Sequence, residues 1–438
     1  MPITSICEAG ICEAGIGQAG VDRRHFMGVA AATAGVATVL AGAAQARPAG
    51  GRSQPLLPAS DETIAPFRVE TDEAALVQLR QRLSLTRWPE KETVGDWSQG
   101  APLNDTRALV DYWRTGYDPV RLARRLNALP QFRTRIDGLG IHFIHVRSRH
   151  PQARPIVLTH GWPGSVVEFL DVIGPLTDPT AHGGKAEDAF HVVIPSLPGF
   201  GFSDKPTERS WGLPRIARAW GTLMNRLGYD RYLAQGGDWG AGVTTWMAKQ
   251  HVPGLAGVHL NLPILFPPPL VGQPTAEEQA SIAQLVAYGT SESGYAILQG
   301  TRPQTVGYAL ADSPAGQAAW IYEKLAAWSD SAHHPEQEIG RDRMLDNIML
   351  YWLTDSAASS ARLYAESFAT DFTPQKLDLP VAVSVFPGEI FRPLKVWGER
   401  MYSKLTYWSE AARGGHFAAF EQPAIFTEEL RRAAPALW

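Results

Sequence analysis

The sequence predicts an α/β protein built on a mostly parallel sheet with helices on both faces, and three observations carry that prediction. Short continuous apolar runs at 155–159, 190–194, 232–234 and 258–260 are separated by helical patterns. Strands buried on both faces read this way because helices cover each side of a parallel sheet. The alternation stops near Pro263, residues up to about Thr373 read as helices and loops rich in Tyr and Trp, and strand signals return at 381–386 and 405–408. A mainly helical segment inserted between two halves of such a sheet forms a cap over the strand ends, where α/β sites lie.

Taken in order, residues 1–46 have the form of an export signal and are set apart from the fold. Arg23-Arg24 stand as a twin pair, an uncharged Ala/Gly-rich run follows over 28–44, and Ala44-Gln45-Ala46 offers a small-x-small cleavage site. Twin-arginine signals of this shape pass folded proteins to the twin-arginine export machinery, so a periplasmic or secreted protein is expected. A run of about 17 residues, mostly Ala and Gly, is short and weakly apolar for a stable membrane anchor. Ahead of the arginines, Ile6-Cys7-Glu8-Ala9-Gly10 repeats as Ile11-Cys12-Glu13-Ala14-Gly15 and reads as lying upstream of the true start. Cys7 and Cys12 are the only cysteines of the chain. Cleavage after Ala46 leaves none, which excludes disulfides, a cysteine nucleophile and thiolate metal sites.

Residues 47–60 are Pro/Gly/Ser-rich and read as a linker. An N-terminal region, 61–150, looks helical and loop-like to Gln131, with helical spacing at 74–83 and 108–113, and then alternates as a strand over 141–146. The first half of the α/β core is expected over 151–262, the cap over 263–375 and the second half of the core over 376–438. With 45% hydrophobic and 19% charged residues and a net charge of -4, the chain has an ordinary globular composition. It offers no basic surface for nucleic acid. The 14 Trp suit a pocket walled by large apolar faces as well as they suit a plain core.

The segment that carries chemistry is Gly236-Gly237-Asp238-Trp239-Gly240, between a strand and a helical pattern. It has the form of a nucleophile elbow, in which close-packed glycines let a sharp turn expose one side chain above the sheet. Aspartate fills the nucleophile slot. A carboxylate is suited to displacing a leaving group from an sp3 carbon, which leaves an alkyl ester on the enzyme. Water must then attack the carbonyl carbon of that ester, and the step needs a base and an oxyanion hole. The loop Thr159-His160-Gly161-Trp162-Pro163-Gly164 can bring the backbone N–H of Trp162 to the oxyanion, and the N–H of Trp239 supplies a second donor. The side chains of His160, Trp162, Pro163, Trp239 and Phe417 are candidate pocket walls, with His160 read as ordering its loop. His416, after Gly414-Gly415 on the loop leaving the last strand, is the candidate base. Its partner should be an acid on an earlier loop, to fix the imidazole tautomer. Glu389, directly after the strand at 381–386, fits best, and Glu399 is the runner-up within a helical stretch. Nucleophile, acid and histidine follow the chain order of the α/β-hydrolase fold. Neither metal nor cofactor is called for.

At this point the sequence resembles the epoxide hydrolase family, on its microsomal and juvenile-hormone-hydrolase branch. The motifs that carry the resemblance are His160-Gly161-Trp162-Pro163-Gly164, Gly236-Gly237-Asp238-Trp239-Gly240, Phe386-Pro387-x-Glu389 and Gly414-Gly415-His416-Phe417-Ala418-Ala419-Phe420-Glu421. Weaker matches extend it from about Ile64 over nearly the whole chain. The resemblance implies that the N-terminal region wraps the core, and that two cap tyrosines hold and protonate the epoxide oxygen. Tyr295, in Glu292-Ser293-Gly294-Tyr295, matches the first closely, and Tyr364 matches the second less closely. It further implies an epoxide and water as substrates, and the apolar, aromatic-rich pocket expected here points to a hydrophobic one. The chain departs from the family in carrying a twin-arginine pattern where eukaryotic members have a membrane anchor, and in a short loop after Pro263. The rival readings are a haloalkane dehalogenase-like enzyme with the same Asp nucleophile and an inactive binding member of the fold.

Overall fold

The computed structural model describes residues 62–263, 272–368 and 376–438. The signal region, the linker, Cys7, Cys12 and most of the loop after Pro263 lie outside the described residues. Nine strands form one sheet: β1 Ala65–Phe67, β2 Gln131–Ile136, β3 Leu139–Val146, β4 Arg154–Thr159, β5 Phe190–Pro195, β6 Tyr232–Gly236, β7 Leu255–Leu260, β8 Leu377–Val385 and β9 Tyr402–Glu410. Their order across the sheet is β1-β2-β3-β5-β4-β6-β7-β8-β9. The pairings β1–β2, β2–β3 and β3–β5 are antiparallel, and those from β5 to β9 are parallel.

The apolar runs of the sequence fall on the buried centre of this sheet. Ile156, Val157, Leu158, Val192, Val193, Ile194, Leu233, Ala234 and Val258 are almost fully buried. Helix Leu213–Arg226 buries Leu213, Ile216, Trp220, Leu223 and Met224 on one stripe, as an amphipathic covering helix should.

Two strands were not expected. Residues 61–131 read as helix and loop, yet β1 lies inside that range and β2 starts at its end. β1 is only three residues long, and Arg133 and Arg135 interrupt the apolar run of β2. The side chain of Arg133 is buried all the same, because Asp204 pairs with it. The N-terminal region therefore extends the sheet itself, besides packing its helices Glu73–Ser84 and Leu103–Thr115 outside it.

Among the described residues the cap comprises the helices Ala276–Ala287, Gly294–Thr301, Pro303–Asp312, Pro314–Trp328, Pro335–Glu338, Arg341–Leu353 and Ala357–Ser367. It is tied to the N-terminal region through Asp346, whose side chain is fully buried. That carboxylate takes ion pairs from Arg121 and Arg125 and a 2.8 Å hydrogen bond from the Tyr117 hydroxyl. A buried charge needs such complete pairing to persist. The arrangement holds the cap helix Arg341–Leu353 in place.

Register then sets the floor of the site. Thr159 pairs with Gly236 and Gly236 with Leu260, so β4, β6 and β7 end at one level. The loops that leave them begin at His160, Gly237 and Asn261, side by side. Leu260 pairs in turn with Val383, which places the loop after β8, carrying Glu389, along the same edge.

Candidate active site

Asp238 sits between β6 and helix Trp239–Lys249 with φ 50° and ψ -130°. This is a left-handed conformation that a side-chain-bearing residue adopts only under constraint. Close packing supplies the constraint. A Cβ on Gly240 would stand 1.9 Å from the Thr159 carbonyl oxygen, and one on Gly236 would stand 2.1 Å from the Gly240 carbonyl oxygen. Only glycine fits either place, so the turn is forced and the carboxylate is thrust out above the strand ends. A Cβ on Gly161 would lie 2.2 Å from Asp238 Oδ1, so bare backbone is also required where the neighbouring loop meets the carboxylate.

The Trp162 N–H donates to Asp238 Oδ1 at 2.8 Å. Trp239 opens the helix after Asp238, so its N–H belongs to the first turn, whose amides have no intrahelical partner. His416 Nε2 lies 3.5 Å from Asp238 Oδ2, and His416 Nδ1 lies 2.6 Å from Glu389 Oε1. The side chains of His416 and Glu389 are each 2% exposed. Glu399, by contrast, is 56% exposed and pairs with Lys395, so the carboxylate beside the imidazole is that of Glu389. Burial disfavours a charged imidazole, but Glu389 and Asp238 more than offset it and hold the His416 pKa well above its ordinary value.

Tyr295 and Tyr364 are both buried. The Tyr295 ring stacks on Trp162 at 5.1 Å, and the Tyr364 ring meets Trp239 edge-on at 4.7 Å. The two phenol rings are 5.8 Å apart. Each tyrosine thus rests on one of the two tryptophans whose amides border Asp238. Burial raises both phenols well above their ordinary pKa; Tyr364 and Tyr288 then Asp238 add to this for Tyr295, and Asp238 leads for Tyr364. Both are protonated donors at neutral pH. Tyr288, which the sequence showed only as one aromatic among several, is hydrogen-bonded to Tyr295, hydroxyl to hydroxyl, at 2.8 Å.

The remaining expected wall residues take different positions. His160 keeps both ring nitrogens engaged, Nδ1 with the Gly161 carbonyl at 2.9 Å and Nε2 accepting from the Leu197 N–H at 3.2 Å. Burial lowers its pKa to about 4, so it is a neutral residue that orders the loop. The Pro163 carbonyl accepts from Asn347 Nδ2 at 2.7 Å and ties that loop to the cap. Phe417 packs edge-on against His416 at 5.0 Å.

The carboxylate borders a cavity of about 20 Å³, lined by His160, Glu168, Gln235, Asp238, Asn261, His416 and Phe417 among others. That is room for about one water, in polar company. Pro163 and Trp239 do not line it. Gln235 Oε1, in a residue only 1% exposed, has no hydrogen-bond partner. Glu168 was not singled out in the sequence, where it reads as an ordinary turn residue. Its carboxyl occupies the space above Gly164, where a Cβ would stand 1.4 Å from Oε1. Its side chain is among those that line this cavity. Burial raises its pKa to about 8, against a partial pull downward from His416. The fold therefore favours its protonated form, which can donate a hydrogen bond into the cavity.

The fold favours the protonated form of Glu168, so its contribution to stability is complete below the ordinary pKa of 4.5 and is lost as pH rises through about 8. Glu168→Gln cannot ionise and should match the parent near pH 4.5 and gain on it steadily toward pH 8. Urea midpoints across this range test the expectation, and a constant difference between the two proteins would count against it.

The chain is similar to known proteins over most of its length. Residues 64–169 match the family described as epoxide hydrolase N terminus, and residues 154–376 match the α/β-hydrolase fold family. A Stigmatella aurantiaca protein provisionally assigned as an epoxide hydrolase is 62% identical over 372 residues, covering 84% of each chain. Epoxide hydrolase 1 of Sus scrofa is 35% identical over 406 residues, covering 85% of this chain and 89% of that one. Among solved structures, the Aspergillus niger epoxide hydrolase superposes with a TM-score of 0.77 at 31% identity, covering 87% of this chain and 98% of its own. The juvenile hormone epoxide hydrolase of the silkworm Bombyx mori gives 0.75 at 31% identity, covering 86% and 95%. With its fold, its N-terminal region and relatives of this identity all in one family, the chain belongs to the epoxide hydrolases.

Proposed function

We propose that the protein converts a hydrophobic epoxide and water to a vicinal diol through an alkyl ester on Asp238. The observation that carries this reading is a carboxylate on a nucleophile elbow, bordered by two buried phenols that rest on Trp162 and Trp239. Asp238 Oδ2, away from the Trp162 amide, attacks the less hindered epoxide carbon. As the C–O bond breaks, its electron pair takes a proton from Tyr295 or Tyr364. Oδ1 becomes the carbonyl oxygen of the ester, already in contact with the Trp162 N–H, where charge develops in the second step.

Ester formation also prepares the base. The negative charge on Asp238 disappears, so His416 loses one of the two carboxylates that hold its proton. The freed proton returns to the tyrosinate, and neutral His416, oriented by Glu389, takes a proton from water as it attacks the ester carbon. The bond from the ester carbon to the substrate-bound oxygen then breaks, and His416 returns that proton to the leaving oxygen as the second diol hydroxyl. The water's other proton passes from the re-formed Asp238 carboxyl to His416.

Tyr295→Phe should slow ester formation by about 10- to 100-fold, and the double change with Tyr364→Phe by more than about 10³-fold. Single-turnover kinetics checks this, and a double variant no slower than the single ones would contradict a shared role.

The aromatic rings of Trp162, Trp239, Trp328 and Phe417, packed against Tyr295, Tyr364 and His416, favour an apolar substrate such as a styrene-, terpene- or lipid-like epoxide. A panel of such epoxides and of haloalkanes tests the proposed activity. Diol formation supports it, whereas halide release without diol formation favours the dehalogenase reading. The twin-arginine pattern at Arg23-Arg24 supports a further proposal, export to the periplasm or beyond. Fractionation of cells carrying Arg23→Lys with Arg24→Lys should find the protein retained in the cytoplasm, and unchanged export would exclude this route.

A further inference from the structure

We propose that Lys324 is a positioning residue for epoxide opening: its ammonium, held against the Tyr295 ring, stabilises the negative charge that this phenol acquires as it protonates the departing oxygen. The proposal rests on the reading of Tyr295 as a proton donor.

Lys324 lies on the cap helix Pro314–Trp328, and its side chain is 7% exposed. Nζ stands 4.6 Å from the centre of the Tyr295 ring and 5.4 Å from that of Trp328. Glu323 Oε2 pairs with it at 2.7 Å, from a side chain that is 24% exposed. A lysine normally extends its charge to water, and burying it is costly even when paired. Here the charge is turned inward, onto a ring of the candidate site. A cation over an aromatic face interacts with the ring's electron density, and the interaction strengthens when water is excluded.

The direction of charge movement gives this placement a use. In the resting site the negative charge sits on Asp238, beside the Trp162 amide and His416. Epoxide opening forms the bond from Asp238 oxygen to carbon, breaks the epoxide C–O bond and moves one phenol proton to the released oxygen. One negative charge thereby passes from Asp238 to the phenol. Tyr288, Tyr364 and Asp238 each make ionisation of that phenol harder, and the positive charge of His416 lies on the far side of Trp328 and beside Asp238. Lys324, with Glu323 behind it, brings positive charge to the same ring. The reaction therefore carries its charge toward the ammonium.

Lys324→Met in the full chain tests the idea. Ester formation, followed by rapid quench, should slow by about 10- to 100-fold while ester hydrolysis keeps its parental rate. The alkaline limb of ester formation should move to higher pH. A substrate-free readout comes from tyrosine labelled with heavy carbon at Cζ, with the Tyr295 resonance assigned by its loss in Tyr295→Phe. That resonance should move in Lys324→Met. A folded variant with parental ester formation, alkaline limb and resonance would overturn the proposal. If Lys324→Met does not fold, Glu323→Gln decides instead, because it removes the carboxylate that offsets the ammonium. Tyrosinate should then form at lower pH, and an unmoved titration would overturn the proposal equally. If no epoxide is turned over, the functional reading fails, yet the heavy-carbon resonance still decides whether Lys324 acts on Tyr295.

Discussion

Replacing Asp238 with alanine should abolish turnover, with a loss of at least about 10⁴-fold in kcat. The expectation follows from geometry more than from residue type. The strained turn at Asp238 is enforced by Gly236 and Gly240, and the loop at Gly161 leaves space for one carboxylate oxygen against the Trp162 amide. Without the carboxylate, the remaining groups can bind an epoxide and polarise its oxygen, but no nucleophile is in place. A water in the emptied space would lack the covalent step, and His416 would face no ester. The measurement is diol formation by a variant whose near-ultraviolet circular dichroism matches the parent's. Retention of more than about one tenth of the activity would contradict covalent catalysis at this residue.

His416→Gln should separate the two steps. Ester formation needs the carboxylate and the phenols, whereas ester hydrolysis needs the base at 3.5 Å from Asp238. The variant should therefore form the ester within about tenfold of the parental rate and hydrolyse it about 10³-fold more slowly or worse. Intact-protein mass measurement after mixing with substrate should show the protein plus one substrate mass, accumulating stoichiometrically. Loss of turnover with no adduct would mean that His416 acts before the covalent step. Glu389→Gln should give a milder form of the same behaviour, since it removes the group that orients the imidazole through a 2.6 Å contact.

The parts of this site that could be read from the sequence are those in which backbone geometry dictates residue type. Gly236, Gly240 and Gly161 are required by approaches that no side chain tolerates, so the elbow and its neighbouring loop leave a local signature. The order of Asp238, Glu389 and His416 follows from the loops after β6, β8 and β9, which the apolar runs already outlined. Tyr295 and Tyr364 carry no such signature. They stand on separate cap helices and meet only through folding, and family resemblance alone singled them out.

Glu168 and Lys324 were invisible for a related reason. A glutamate in a short turn and a lysine on a helix have the default appearance of solvated residues. Lys324 is turned inward against Tyr295, on another cap helix, and Glu168 fills the space that the missing side chain of the nearby Gly164 leaves. β2 was missed because Arg133 breaks its apolar pattern, and the partner that allows its burial, Asp204, lies far along the chain. For Lys324 and Arg133 a polar residue is taken inside by a partner remote in sequence, which periodicity cannot reveal.

The central claim, a covalent ester on Asp238 opened by water at its carbonyl carbon, is tested most directly by one turnover of a styrene-like epoxide in heavy-oxygen water. After digestion, the peptide containing Asp238 is weighed. Attack at the ester carbonyl predicts heavy oxygen in the Asp238 carboxylate and ordinary oxygen in the diol of that first turnover. Heavy oxygen in the diol, with none in the peptide, would show water attacking the epoxide directly and would contradict the account.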